Sequence, residues 1–146
     1  MLAVAQFTAA FSTLLFAGAA LYINLVEHPA RMGCATNIAV TVWAPSYQRA
    51  TLMQAPLAIV GALSGFLAWW LGAGAAWLVA SMLIVLAVPF TLLVIMATNK
   101  QLLASGRDLA SPETRALLVK WGHLHAVRTV FSLVASALML WQLVQP

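Results

Sequence analysis

The sequence predicts an all-α integral membrane protein in which four transmembrane helices form a bundle. Hydrophobic residues make up 64% of the 146 residues and charged residues only 7%, whereas a soluble domain is typically about 25% charged. The mean hydropathy is +0.97, and the apolar residues fall into four stretches of the length that crosses a bilayer, about 20 residues. We therefore expect a single four-span domain, residues 1–146. Its spans are expected at about 2–27, 48–71, 76–99 and 122–144.

The first span carries a stripe of small and polar residues at steps of three and four. The stripe consists of Gln6, Ala10, Thr13, Ala17, Ala20, Asn24 and His28. Small residues let helices approach closely in lipid, so this face is expected to lie against the other helices. The first residues lack a basic n-region, which favours a spanning helix over a cleavable signal peptide. Pro29 disfavours helical geometry at His28 and is expected to end or sharply bend the helix.

Proline and glycine punctuate the middle of the chain. Residues 30–44 have no continuous period and predict a loop with a short interfacial helix. Pro45 suits the first position of the second span. Pro56 and Pro89 predict kinks that open the middle of the bundle. Residues 72–75, Gly-Ala-Gly-Ala, predict a tight turn between the second and third spans.

The last span is expected to begin with a cytoplasmic helical extension. Ser111-Pro112-Glu113 combines an N-cap, a proline at N1 and an acid in the first turn. Further along, polar and aromatic residues share one face: Trp121, His125, Arg128, Ser132 and Ser136. His123 falls about 200° away from His125 around the helix. A basic residue at this depth is costly unless it faces protein or water, so Arg128 and His125 are expected to point inward.

The basic residues predict the orientation in the membrane. All seven Lys and Arg lie in the loops after the first and third spans or at the adjoining helix ends. The positive-inside rule then places these loops in the cytoplasm and both termini outside the cell (inner) membrane. Aromatic residues are expected to form belts at the two interfaces: Trp69, Trp70, Trp77 and Trp141 outside, and Trp43, Tyr47 and Trp121 inside.

The composition also limits the partners. Seven basic residues in two short loops, without an aromatic-basic module, argue against nucleic-acid binding. Cys34 is the only cysteine, which excludes an intrachain disulfide, a CxxC pair and a CxxCH haem attachment. The expected partners are membrane lipids and an apolar aromatic small molecule. Gly61 and Gly65 form a GxxxG pair, which is weak support for a homo-oligomer, and a partner in a membrane complex is also possible.

Three short segments near the cytoplasmic end carry a resemblance to a known family. They are Leu21-Tyr-Ile-Asn-Leu-Val-Glu-His-Pro29, Met96-Ala-Thr-Asn-Lys-Gln-Leu102 and Trp121-Gly-His-Leu-His-Ala-Val-Arg-Thr129. In these segments and in its layout the chain resembles the anthrone oxygenase-like family of small four-span membrane proteins. The residues that match the family are Asn99, Trp121, His125 and Arg128, with a looser match at Glu27-His28-Pro29. The resemblance implies oxidation of a tricyclic anthrone by O2 without a metal or flavin.

The residue types suit this chemistry. Anthrone oxidation removes an acidic C–H proton and leaves an electron-rich enolate that reacts with O2. Histidine supplies a base near neutral pH, and a cation or amide donor stabilises the developing oxyanion. The expected catalytic residues are His125, Arg128, His28 and Asn99, and the expected substrate-binding residues are Glu27, Asn24, Trp121 and Tyr22. No cofactor is expected.

Other interpretations of these residues remain open. Arg128 can simply extend to the lipid headgroups, and Glu27 can serve only to neutralise Arg128 or Arg31. Alternatively, His28 and His125, with Glu27, can bind a transition metal or haem, which predicts a membrane redox protein. A third interpretation is a non-catalytic accessory subunit, whose small-residue stripes contact neighbouring proteins.

Overall fold

A computed structural model describes residues 1–145 and contains four long helices. Helix α1 is Leu2–Met32, α2 is Thr36–Ala73, α3 is Ala75–Leu102 and α4 is Pro112–Val144. Each helix is long and apolar enough to cross a membrane, and no strand occurs in the described residues. The predicted all-α, four-helix membrane bundle is confirmed.

The helices are arranged so that neighbours in the chain are neighbours in space. Helix α1 packs against α2 and α4, and α3 packs against the same two helices. Because α1 also contacts α4, the four helices close into a ring, as short connections between antiparallel helices allow. We call the end that carries the loops 33–35 and 103–111 the charged end.

The first connection is shorter than the sequence predicts. Helix α1 continues through Pro29, and α2 begins at Thr36 and already includes Pro45. The expected loop within 30–44 is therefore wrong, because only residues 33–35 separate the two helices. A proline ring normally clashes with the carbonyl four residues earlier. Here the turn before it, Ile23–Glu27, is widened to a π-helical turn, which moves that carbonyl aside.

Burial explains why α2 begins so early. Ala39, Val40 and Trp43 are buried on one face of its first turns and pack into the core at the charged end. This tertiary burial outweighs the weak local pattern and the proline at position 45. The other two prolines differ from each other. The α-helix Thr36–Ala68 runs through Pro56 without a change of helix type, whereas Pro89 is followed by a second widened turn, Thr91–Ile95.

The predicted turn and helix start are both present. Gly72 and Gly74 end α2 with φ of 93° and 95°, a left-handed conformation that glycine adopts without a steric penalty. At the start of α4, the Ser111 hydroxyl accepts a hydrogen bond from the Thr114 backbone N–H at 3.2 Å. This is the N-cap that the sequence predicts.

The interior has two halves of different composition. The alanine half lies away from the charged end and is filled mainly by small buried residues: Ala5, Ala9, Ala10, Ala58, Ala62, Ala80, Ala87 and Ala135. Gly61 and Gly65 belong to this half, where they lie against Thr13 and Ser81. The GxxxG pair thus serves packing inside the bundle.

The charged half has larger side chains. Its core consists of Ile23, Ala39, Val40, Trp43, Ile95, Leu102, Leu118 and Trp121. Three tryptophans expected in the interfacial belts lie in the core instead, because Trp43, Trp77 and Trp121 are at most 4% exposed. Trp69, Trp70 and Trp141 are exposed, which is compatible with an interfacial position.

Candidate functional site

Asn24 joins helix α1 to helix α4 in the charged half. It lies in the widened turn Ile23–Glu27, and its Nδ2 donates to the Gly122 carbonyl at 3.1 Å. Its Oδ1 accepts from Thr129 Oγ1 at 2.6 Å and lies 2.7 Å from His125 Nδ1. An amide oxygen can only accept, so His125 carries its proton on Nδ1. His125 Nε2 therefore presents a lone pair.

Arg128 donates a hydrogen bond to that lone pair. Its Nη2 lies 2.9 Å from His125 Nε2 and also donates to Gln54 Oε1 of helix α2. The guanidinium carbon lies 5.3 Å from the centroid of the Phe16 ring, a cation–π contact. Arg128 thus points into the bundle and does not extend to the lipid headgroups.

The charge of Arg128 has no acidic partner. Within residues 1–145 the salt bridges comprise the single pair Arg31–Glu27. Only neutral groups contact the guanidinium of Arg128, and its Nε is buried without a hydrogen-bond partner. An uncompensated cation at membrane depth is costly, so this arrangement is a candidate for binding an anionic group.

Trp121 belongs to the core of the charged half and contacts two histidines of the site. Its ring stacks on His125 with centroids 4.9 Å apart, and it contacts His28 at 5.2 Å. Trp43 packs edge-on against the Trp121 ring, with the ring centroids 5.8 Å apart. These contacts fix the plane of the His125 imidazole, which gives Trp121 a positioning role at this site.

His28 fits against the backbone of α4. A Cβ added at Gly122 would lie 2.6 Å from His28 Nε2 and 2.7 Å from Cδ2. Glycine at this position therefore lets the imidazole approach the helix. His28 is 7% exposed, and its Nδ1 is buried without a partner.

Arg31 belongs to this region, although the sequence did not single it out as a site residue. It forms an ion pair with Glu27 and donates to Ser46 Oγ at 3.1 Å. The Glu27 carboxylate also accepts a hydrogen bond from the Ser46 hydroxyl. Glu27 thus neutralises Arg31, one of the two pairings that the sequence left open. The signal was the i, i+4 spacing, which the expected break at Pro29 concealed.

Two adjoining pockets flank Arg128. The inner pocket has a volume of about 20 Å³, and the outer pocket has a volume of about 150 Å³. Tyr47, Thr51, Thr91 and Arg128 line both of them. The inner pocket is completed by Ile23, Arg31, Ser46, Ala50, Ile95, Trp121 and His125. The outer pocket is completed by Phe16, Gln54, Ala55, Ala58, Ala87, Val88, Leu92 and Met96.

Five of the eight predicted site residues line neither pocket: Tyr22, Asn24, Glu27, His28 and Asn99. Asn24, Glu27 and His28 contact lining residues, whereas Tyr22 and Asn99 lie apart. Tyr22 is 56% exposed and lines a groove on the outside of α1 together with Glu27. Asn99 is fully buried, but it lines neither pocket, and both polar atoms of its side chain lack a partner. Gln54 was missed because a single polar residue in an apolar span gives no periodic signal. Thr129 ends the quoted motif Trp121–Thr129 but was not singled out as a site residue.

The residues named for a metal or haem are already bonded to protein groups, apart from His28. His125 has both ring nitrogens bonded to protein groups, and Glu27 is held by Arg31. Residues 1–145 contain no group of three or more His, Cys, Asp and Glu side chains that could hold a metal ion. Transition-metal sites draw on such clusters with free lone pairs, so the geometry does not favour this interpretation.

Fold and site together define a four-helix membrane protein in which Arg128 lines an apolar pocket. Arg128 is bonded to His125, which lines the smaller pocket next to it. The sequence profile described as anthrone oxygenase matches residues 43–138, more than half of the chain, and the protein belongs to that family. This confirms the resemblance seen in the short motifs. The matched region includes Asn99, Trp121, His125 and Arg128, and it lies beyond Asn24 and His28.

One curated relative is the anthrone oxygenase tpcL of Aspergillus fumigatus. It is 39% identical over 77 residues, which cover 51% of this chain and 48% of that protein. The chain therefore spans about half the length of the curated relative that it matches. No solved structure matches the chain. Membership thus supports an oxygenase-like function at the level of the family.

Proposed function

We propose that the protein oxidises a flat, apolar anthrone-like or phenolic substrate with O2, without a cofactor. One observation carries the proposal: Arg128 bears a positive charge, has no carboxylate partner and lines an apolar pocket. A substrate oxyanion in that pocket would supply the missing negative charge. Preorganised charge of this kind stabilises an oxyanion strongly because no reorganisation is needed when the charge develops.

The outer pocket suits an aromatic ring. An apolar cavity of about 150 Å³ is known to bind benzene, and the outer pocket has about that volume. One ring of a tricyclic substrate can enter, and the remainder extends toward the opening between α2 and α3. Val88 and Leu92 line this pocket and are 43% and 58% exposed, so we place the entrance here, facing the apolar part of the bilayer, where flat aromatic molecules concentrate.

His125 is the base in this proposal. His125 lines the inner pocket and not the outer one, and Arg128 lines both. With its proton on Nδ1, His125 Nε2 can accept the C–H proton of a substrate whose edge reaches past Arg128. In the free protein Arg128 donates to this nitrogen. When the substrate oxygen accepts the hydrogen bond of the Arg128 guanidinium instead, His125 Nε2 loses this bond and becomes available to the substrate. Oxyanion binding and base activation are thereby coupled through one hydrogen bond.

The electron balance requires no further reactant. The enolate transfers one electron to O2, and the two radicals combine to form a C–O bond. The peroxide anion takes back the proton from His125, and loss of water from the hydroperoxide leaves a new carbonyl. One CH2 group and one O2 molecule are therefore converted into one C=O group and one water molecule. Asn24 and Trp121 hold the imidazole in place.

The test is oxygen consumption by purified protein in lipid vesicles supplied with an anthrone. We expect one O2 per anthrone, incorporation of labelled oxygen into the product, and full activity after treatment with a chelator. The Arg128→Leu variant in identical vesicles measures the uncatalysed reaction. A wild-type rate equal to that of this variant would contradict the proposal, and a rate that depends on added metal or haem would contradict the cofactor-free mechanism.

We further propose that the protein lies in the inner cell membrane with the charged end in the cytoplasm and both termini outside. The support is that all seven basic residues fall within residues 31–49 and 100–128, the stretches around the first and third connections. Reporters fused at position 146 and within 103–110 should give opposite topological signals. A cytoplasmic reporter at position 146 would contradict this orientation.

A further inference from the structure

The inner pocket differs from the outer pocket in size and in lining. Its volume of about 20 Å³ is enough for one water-sized molecule and too small for an aromatic ring. Two guanidinium groups line it, those of Arg31 and Arg128, together with the imidazole of His125. It therefore cannot hold the proposed substrate, yet it adjoins the pocket that would.

The charges around this pocket are unequal. Glu27 compensates Arg31, whereas Arg128 has no acidic partner. Arg31, Glu27 and Arg128 together carry one net positive charge. Arg31 is only 6% exposed, and its Nε is buried without a hydrogen-bond partner. A small neutral molecule gains little from this field, but the same molecule gains much once it becomes an anion.

We propose that the inner pocket is where dioxygen is reduced and that Arg31 is a further catalytic residue, because it stabilises the superoxide formed there. This inference rests on the proposed function. In the step concerned, the substrate enolate loses one electron and O2 gains it, which leaves a substrate radical and superoxide. The negative charge thus moves from the outer pocket to the inner one. Arg128 lines both pockets and can contact either anion.

A purely structural role for the Arg31–Glu27 pair makes a different prediction. If the pair only secures the end of α1, removal of either partner should impair the protein alike, because each change leaves the other charge unpaired. If the charge of Arg31 stabilises superoxide, the two changes should have opposite effects on the reaction with O2. Arg31→Gln removes a positive charge and leaves Glu27, whereas Glu27→Gln removes the negative charge and leaves Arg31.

The first measurement is kcat/KM for O2 at saturating anthrone. We expect a fall of at least about tenfold in Arg31→Gln and a rise of a few-fold in Glu27→Gln, since charge at the reduced oxygen is involved. The matched control is Arg115→Gln. Arg115 also bonds the first loop, through the carbonyls of Met32 and Cys34, but it does not line the pocket. It should leave kcat/KM for O2 unchanged.

The second measurement does not depend on turnover. Bromide, a small monovalent anion, should quench the fluorescence of Trp121 in a saturable manner and compete with O2, with Trp121→Phe as the blank. Its affinity should fall at least about tenfold in Arg31→Gln and rise in Glu27→Gln.

The outcomes separate the two proposals. Active wild-type protein with equal losses in Arg31→Gln and Glu27→Gln, or with no saturable bromide quenching, would overturn the dioxygen pocket and leave the proposed function standing. Saturable bromide binding in a protein that never oxidises an anthrone would instead overturn the proposed function and the oxygen role with it.

Discussion

The alanine half and the charged half of the bundle treat buried polar atoms in opposite ways. In the alanine half, Ser81 Oγ donates to the Trp77 carbonyl at 2.8 Å and Ser136 Oγ donates to the Ser132 carbonyl at 2.9 Å. These hydroxyls are satisfied within their own helices. The close contacts there are made by alanine and glycine, so this half is built for helix packing in lipid.

The charged half instead holds most of the buried polar atoms that lack a partner. They belong to His28, Arg31, Trp43, Gln54, Thr98, Asn99, Trp121 and Arg128. Thr13, next to Gly61, is the exception in the alanine half. Each such atom costs about 1–3 kcal/mol. The difference indicates that the alanine half supplies stability, while the charged half gives up stability for a preorganised site.

The largest expected effect of a single change is at His125. His125→Ala removes the base and should lower the anthrone oxidation rate roughly 10²–10⁴-fold, while the alanine half keeps the protein folded. The rate is measured by oxygen uptake of protein that remains monodisperse in detergent. His123→Ala is the matched control, because His123 is exposed two residues away and should retain activity. Equal, small effects at the two histidines would remove His125 from the mechanism.

A somewhat smaller loss is expected for Arg128→Lys. An ammonium keeps the charge but cannot donate to Gln54 and a substrate oxygen in the planar geometry of a guanidinium. The expected fall in kcat is roughly 10²–10³-fold, as for loss of an oxyanion donor. Steady-state kinetics of vesicle-inserted protein measures it. Retained activity in Arg128→Leu would show that the residue has only a structural role.

The smallest effect on the rate is expected in the alanine half, at Gly61. A Cβ there would lie 2.6 Å from Thr13 Oγ1, whereas a Cβ at Gly18 would meet nothing within 4 Å. Gly61→Val should therefore lower the free energy of unfolding by about 1–3 kcal/mol more than Gly18→Val, through overpacking. Unfolding in mixed micelles measures this difference, and the rate per folded molecule should not change. A loss of rate without a loss of stability would contradict the division into two halves.

Features of single helices could be predicted from the sequence. The four spans, the turn at residues 72–75 and the N-cap at Ser111 depend on composition and local backbone chemistry. The burial of His125 opposite the exposed His123 follows from the period of one helix. The same period identified the small-residue face of α1, on which Ala10, Thr13 and Ala17 are buried.

Contacts between helices could be predicted less well. A widened turn shifts the phase of the following residues relative to the rest of the helix. The outward direction of Tyr22 and the contact of Asn24 with α4 follow from the regular helical period. The turn Ile23–Glu27 affects the residues that come after it. It also carries α1 past Pro29, and this continuation pairs Arg31 with Glu27.

The sequence by itself thus determined the helices, their membrane character, the family motifs and the inward face of α4. Only the tertiary structure decided which polar groups meet: Arg128 with Gln54 and His125 rather than with Glu27. The physical reason is that hydropathy and helical period are properties of one segment. The rotation and axial position of each helix depend on packing across the bundle, where Gly122 admits His28 and two widened turns reset the register.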